Sequence, residues 1–184
     1  MHYFEQLVRF LLEREGFWAR TSYRVNLTKE EKRMIGRPSS PRPEIDVLAY
    51  RPRENLLLII EVKSYLDSPG VALEQIDTEF VRGEGYRLFK DEEYRRVMFG
   101  RLKSELVNEG AINGTVSMIP GMVVGKVKGD EEALERFFSQ RGWFFWGPSQ
   151  LVEKLALTAD MGYTDNPFVY TAKLLIRNGF RSNR

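Results

Sequence analysis

Five consecutive aliphatic residues, Leu56-Leu57-Leu58-Ile59-Ile60, run without a polar interruption and then give way to Glu61-Val62-Lys63. A strand with one wet face alternates apolar and polar residues. An unbroken run of this length therefore reads as a strand covered on both faces. Such a strand needs layers of helix above and below its sheet. Glu61 and Lys63 then emerge where a buried strand reaches the edge of the core.

The preceding segment, Glu44 to Tyr50, also reads as a strand, and Arg51-Pro52-Arg53-Glu54-Asn55 between the two has turn chemistry. Side chains alternate along a strand, so Glu44 and Asp46 share one face, as Glu61 and Lys63 do. A hairpin centred between Arg53 and Glu54 sets Asp46 opposite Glu61 and Glu44 opposite Lys63. Facing carboxylates repel one another and destabilise a sheet. A divalent cation between them reverses that sign.

The rest of the chain supplies the layers. His2 to Glu15 is an amphipathic helix, with Phe4, Leu7, Val8, Leu11 and Leu12 on one face, and Gly16 ends it. Residues 17–25 read as a strand. Thr28 and Glu31 make a capping-box pattern for a short helix to about Ile35, followed by a loop with three prolines, Pro38, Pro41 and Pro43. Beyond the hairpin, helices are expected over Val71–Phe80, Glu92–Asn108 and Asp130–Gln140. Another runs from Gly147-Pro148 to Thr158, and a last one from Asn166-Pro167 to Arg177. Strands are expected over Thr115–Ile119 and Met122–Val127, interrupted at Pro120-Gly121, and over Trp143–Trp146. The order implies an α/β fold: a mixed central sheet with a core hairpin, flanked by helices. One domain over residues 1–184 is expected, with a core at about 2–158 and a C-terminal helix at about 166–178.

Composition narrows the chemistry. Cysteine is absent and the single histidine is His2, which removes thiolate nucleophiles, Cys-based zinc sites and His-based triads. Reaction chemistry must then run on carboxylates, lysine and water. The net charge is only +2, so affinity for a polyanion must come from local clustering. The first helix carries polar residues and the apolar runs are too short to span a bilayer, so a cytoplasmic protein with no membrane partner is expected.

Asp46 on one strand and Glu61-Val62-Lys63 on the next resemble the motif of the PD-(D/E)xK nuclease superfamily, the restriction-endonuclease-like fold. The element order from the first helix to about Trp146 is also similar to that superfamily's core. Pro43 precedes Glu44 rather than Asp46, so Glu44 competes for the first acidic position; the facing register favours Asp46. The resemblance implies hydrolysis of a phosphodiester with Mg²⁺ or Mn²⁺, by a deoxyribonuclease of endonuclease type acting on DNA in preference to RNA. Asp46, Glu61 and the Val62 carbonyl would hold the metal, and Lys63 would orient water or stabilise the oxyanion. Glu5, at the border of the first helix's apolar stripe, is an auxiliary acid by the same resemblance, and Glu44 a third one.

Between Lys32 and Pro43 lie Lys32, Arg33, Arg37 and Arg42 with no acid among them, a candidate contact for flanking phosphates. Gln75 reads as part of a polar helix face, and Trp143 to Trp146 as core rather than as a stacking surface. The bland reading of the motif is a Glu44–Lys63 salt bridge beside two solvated acids. Two other functions remain open: a non-catalytic nucleic-acid-binding or assembly domain on a nuclease fold, and an RNase of the same chemistry. A homodimer is compatible with either.

Overall fold

The structure, a computed structural model, describes residues 3–39, 41–81, 83 and 85–179. The chain begins with helix α1 (Tyr3–Arg14), strand β1 (Trp18–Arg24) and the short helix α2 (Lys29–Met34). Strands β2 (Glu44–Arg51) and β3 (Leu56–Lys63) follow. Then come α3 (Arg87–Lys90), α4 (Glu92–Asn108), β4 (Ser117–Val124), α5 (Glu131–Gln140), β5 (Phe144–Trp146), α6 (Pro148–Leu157) and α7 (Pro167–Arg177). The five strands form one mixed sheet in the order β1-β2-β3-β4-β5. β1, β2 and β3 pair antiparallel, and β4 and β5 join in parallel.

β3 lies at the middle of the sheet, and its aliphatic run is covered on both sides. Leu57 and Ile59 face Val97, Met98, Leu102 and Leu106 of α4 and Leu134 and Phe138 of α5. Leu58, Ile60 and Val62 face Val8, Leu11 and Leu12 of α1 and Leu151 of α6. A mixed sheet between two helical layers is thus what the unalternated run foretells. The hairpin register also matches: Val47 pairs with Ile60 and Arg51 with Leu56, about the expected centre. Its loop closes at Asn55, which is left-handed at φ 48° and whose side chain bonds the Tyr50 hydroxyl and Thr115.

Two expected elements differ. Val71–Phe80 is not a helix. A single 3-10 turn, Leu73–Gln75, stands there, and Val71 forms an isolated parallel bridge with Val127. Buried Val71, Ala72 and Ile76 gave that stretch a helical spacing, but the bridge holds Val71 extended. β4 also runs unbroken through Pro120-Gly121. β5 begins pairing only opposite Gly121, so Pro120 lacks an N–H where the outer side of β4 has no partner strand. Gly121 answers a separate need: a Cβ there would lie 2.9 Å from the Phe144 side chain.

Candidate functional site

Asp46, Glu61 and Lys63 all line one cleft of about 280 Å³, at the end of the β2–β3 hairpin on the α4 face of the sheet. Alternation continues the Leu57 and Ile59 row into Glu61 and Lys63, which is why these charges leave the core on that side. Tyr94 and Met98 of α4 and Tyr86, Arg87 and Leu88 from the start of α3 form the opposite wall.

A backbone kink opens the cleft. The β1–β2 register passes from Thr21–Val47 to Tyr23–Ile45, and Ser22 between those pairs is left-handed at φ 55°. Ala19 packs on the α1 side, whereas Tyr23 and Ile45 join the α4 side, so the alternation changes face at this point. Asp46 sits across from the kink. Its Oδ2 accepts the Val62 N–H at 2.7 Å, a donor that the hairpin register would otherwise bring opposite Ile45. The carboxylate thereby replaces a ladder acceptor and is fixed against β3.

Glu61 and Lys63 form an ion pair of 2.9 Å, with side chains 18% and 27% exposed. Burial pushes the Glu61 carboxyl up; the Lys63 charge and hydrogen bond oppose this, the Asp46 charge adds to it, and the result lies above the ordinary range. Burial alone would lower Lys63. The Glu61 charge and hydrogen bond, with Asp46 and Tyr65 behind them, hold it above its ordinary value instead. The site is thus two coupled acids and a firmly protonated ammonium in a half-closed cleft.

The other expected residues divide. Glu44 lines the cleft, but it forms an ion pair with Arg24 on β1, at 2.9 Å, rather than with Lys63 as the facing register implied. The reason is that Glu44 lies beyond the β2–β3 ladder and opposite Arg24 in the β1–β2 one. Glu5 is half-buried on α1, which packs on the face of the sheet away from α4. Among the described residues, no three acids are arranged to hold a metal ion, so neither Glu5 nor Glu44 completes a three-carboxylate site. Of the basic loop, Arg37 reaches the cleft wall, while Lys32 and Arg33 lie on α2 and Arg42 is exposed before β2.

Sequence reasoning missed the far wall. Arg87 bonds the Ile35 carbonyl at 2.6 Å and Asp91 at 2.8 Å, and its guanidinium lies over the Tyr94 ring at 4.5 Å. Tyr86 is left-handed at φ 61°. Burial, a hydrogen bond with Tyr65 and the Glu61 charge raise its phenol pKa. The signal in the sequence was slight, an aromatic preceded by a glycine, Gly85-Tyr86, in a stretch without periodicity.

No protein-family model matches this chain, and no curated protein matches it in sequence. One solved structure, described as "Crystal Structure of Protein of Unknown Function AF1548", is similar with a TM-score of 0.46 and 17% identity. That similarity covers 97% of this chain and 79% of the other.

Proposed function

We propose that the cleft is the metal-dependent phosphodiesterase site of a cytoplasmic nuclease, an endonuclease acting on DNA in preference to RNA. The observation that carries this reading is the convergence of Asp46, Glu61 and Lys63 on one cleft wall beside Arg37. The resemblance to PD-(D/E)xK nucleases rests on the same three residues.

The donor set suits Mg²⁺ or Mn²⁺. These ions take hard oxygen ligands, and magnesium is commonly held by one or two carboxylates together with substrate phosphate and water. Asp46 and Glu61 supply the carboxylates. The Val62 N–H points at Asp46, and in an antiparallel strand the carbonyl of the same residue leaves on the same side. Val62 can therefore offer its oxygen to the same ion. Once bound, the ion supplies charge neutralisation at phosphorus and a water of lowered pKa.

The chain's own groups do the remainder. Lys63 stays protonated and donates to the attacking water or to a phosphoryl oxygen as charge grows there. Glu61 would bind the ion as its carboxylate, and the cation's charge would offset the burial that raises its pKa. Arg37 contributes a cation for a phosphate oxygen, and Met98 and the Tyr94 ring limit solvent on the α4 side.

The test is cleavage of labelled plasmid, single-stranded DNA and RNA with Mg²⁺, Mn²⁺ or EDTA, beside Lys63→Ala and Asp46→Asn. Cleavage should require the metal and fall by about 10²-fold or more in each variant, the scale of losing one transition-state contact. Activity that survives EDTA, or both substitutions, overturns the mechanism. Faster cleavage of RNA than DNA would make the protein an RNase of the same chemistry. The direct Glu61–Lys63 ion pair favours a second reading, a non-catalytic nucleic-acid-binding or assembly domain. That reading predicts no cleavage of any substrate and no rise in melting temperature with metal.

A further inference from the structure

The candidate cleft and a second cavity of about 550 Å³ meet at two residues, Gly85 and Tyr86, which line both. Their walls differ in chemistry. The cleft gathers the cations Arg37, Lys63 and Arg87 beside its acids. Among the described residues, the second cavity carries Glu74 and Glu79, the amide of Gln75, the hydroxyl of Thr78, the aliphatic side chain of Val81 and the cation Lys90. A phosphate entering there would meet two exposed carboxylates. A neutral planar ring would meet the aromatic side chain of Tyr86, the aliphatic side chain of Val81 and hydrogen-bonding groups.

Tyr86 is held where such a ring needs a partner. It occupies φ 61° and ψ 29°, a region that disfavours residues other than glycine and persists only where the surroundings impose it. Its hydroxyl donates to Gln75 Oε1 at 3.5 Å, and that oxygen also accepts the Ala72 N–H at 3.1 Å. The ring is half-buried. Beside it, a Cβ on Gly85 would meet no heavy atom within 4 Å apart from its own chain neighbours, so the backbone next to Tyr86 is open.

We propose that the second cavity is a nucleobase subsite and that Tyr86 is its stacking platform. The proposal rests on the phosphodiesterase reading of the cleft and adds the substrate class. With the scissile phosphate among Arg37, Asp46, Glu61 and Lys63, the neighbouring base turns out of its stack onto the Tyr86 ring. Gln75 and Thr78 meet its polar edge. A base held in a duplex must unpair and unstack to make this contact, whereas an unpaired base need not. Single-stranded or frayed nucleic acid is therefore the preferred substrate.

The test uses a short single-stranded DNA carrying 2-aminopurine, whose fluorescence falls on stacking against an aromatic ring, and a duplex of the same sequence. Binding is read in EDTA, so that it does not depend on catalysis, and cleavage is read with Mg²⁺. Wild type and Tyr86→Phe should quench the probe. Tyr86→Ala and the bulkier Tyr86→Leu should bind the single strand about tenfold more weakly, as loss of one base–aromatic stack implies. The KM for the single strand should rise by the same factor, with a smaller change in its kcat. Absence of quenching with wild type, or variants equal to wild type on the single strand, overturns the subsite, even if cleavage is intact. Quenching that Tyr86→Leu abolishes supports the subsite even where wild type cuts nothing, an outcome that would remove only the phosphodiesterase reading.

Discussion

Asp46 has a structural task independent of any chemistry, because its Oδ2 accepts the Val62 N–H where the hairpin ladder ends. An asparagine keeps an acceptor oxygen at that point, whereas an alanine leaves the donor without its partner. Asp46→Asn should therefore hold the melting temperature while losing cleavage. Asp46→Ala should lose cleavage and also about 1–3 kcal/mol of stability, read by denaturant unfolding. At this scale the acids were legible before the fold was known. The two-residue period and the centre of the turn together oppose Asp46 to Glu61, and Lys63 shares a face with Glu61 by the same period. The Glu44–Arg24 pair was not legible from the hairpin, because its partner lies on β1. Tyr86 was hidden for another reason: a left-handed tyrosine in an aperiodic loop carries no pattern that spacing can reveal.

Helix α2 has no buried residue and six residues in all, so its place depends on its ends. Thr28 and Glu31 form a reciprocal cap, and the Glu31 carboxylate also takes the Arg101 Nε of α4 at 2.9 and 3.1 Å. Burial alone would raise Glu31. The Arg101 hydrogen bond, the Thr28 N–H and the Arg101 charge outweigh it and hold the group below its ordinary 4.5. An acid with a lowered folded pKa adds stability above its unfolded value and loses it as pH falls through the folded one. Glu31→Gln should thus cost about 1 kcal/mol at neutral pH, the size of a capping contact. The difference from wild type should shrink as pH drops below 4.5, and thermal unfolding across that range measures it. Capping and period made α2, α4, α5 and α7 readable, with α4 falling on Glu92–Asn108 as expected. They failed at Val71–Phe80, where a long-range bridge to Val127 outweighs local spacing, and at Pro120, whose tolerance depends on the short reach of β5.

Across the whole molecule, the helical layers and the central β3 follow from one aliphatic run, since nothing else covers such a strand on both faces. No helix among the described residues is long and apolar enough to cross a membrane. The order of the strands in the sheet is the order in which the chain delivers them. Its consequence lies in time rather than space. β1, β2 and β3 meet by antiparallel turns back along the chain, whereas the β3–β4 pair waits for the return of a segment more than fifty residues long. Short closures cost less entropy and tend to form first. The meander that carries Asp46, Glu61 and Lys63 should belong to the folding nucleus. Leu58→Ala on β3 and Leu151→Ala on α6 remove the same side chain from the same buried cluster. The first should mainly slow folding, with a φ-value above about 0.5, and the second mainly hasten unfolding, with one below about 0.3. Chevron kinetics of the two variants would compare them. In a chain emerging from its amino end, the hairpin of the candidate site would then take shape before the strands that flank its far side exist.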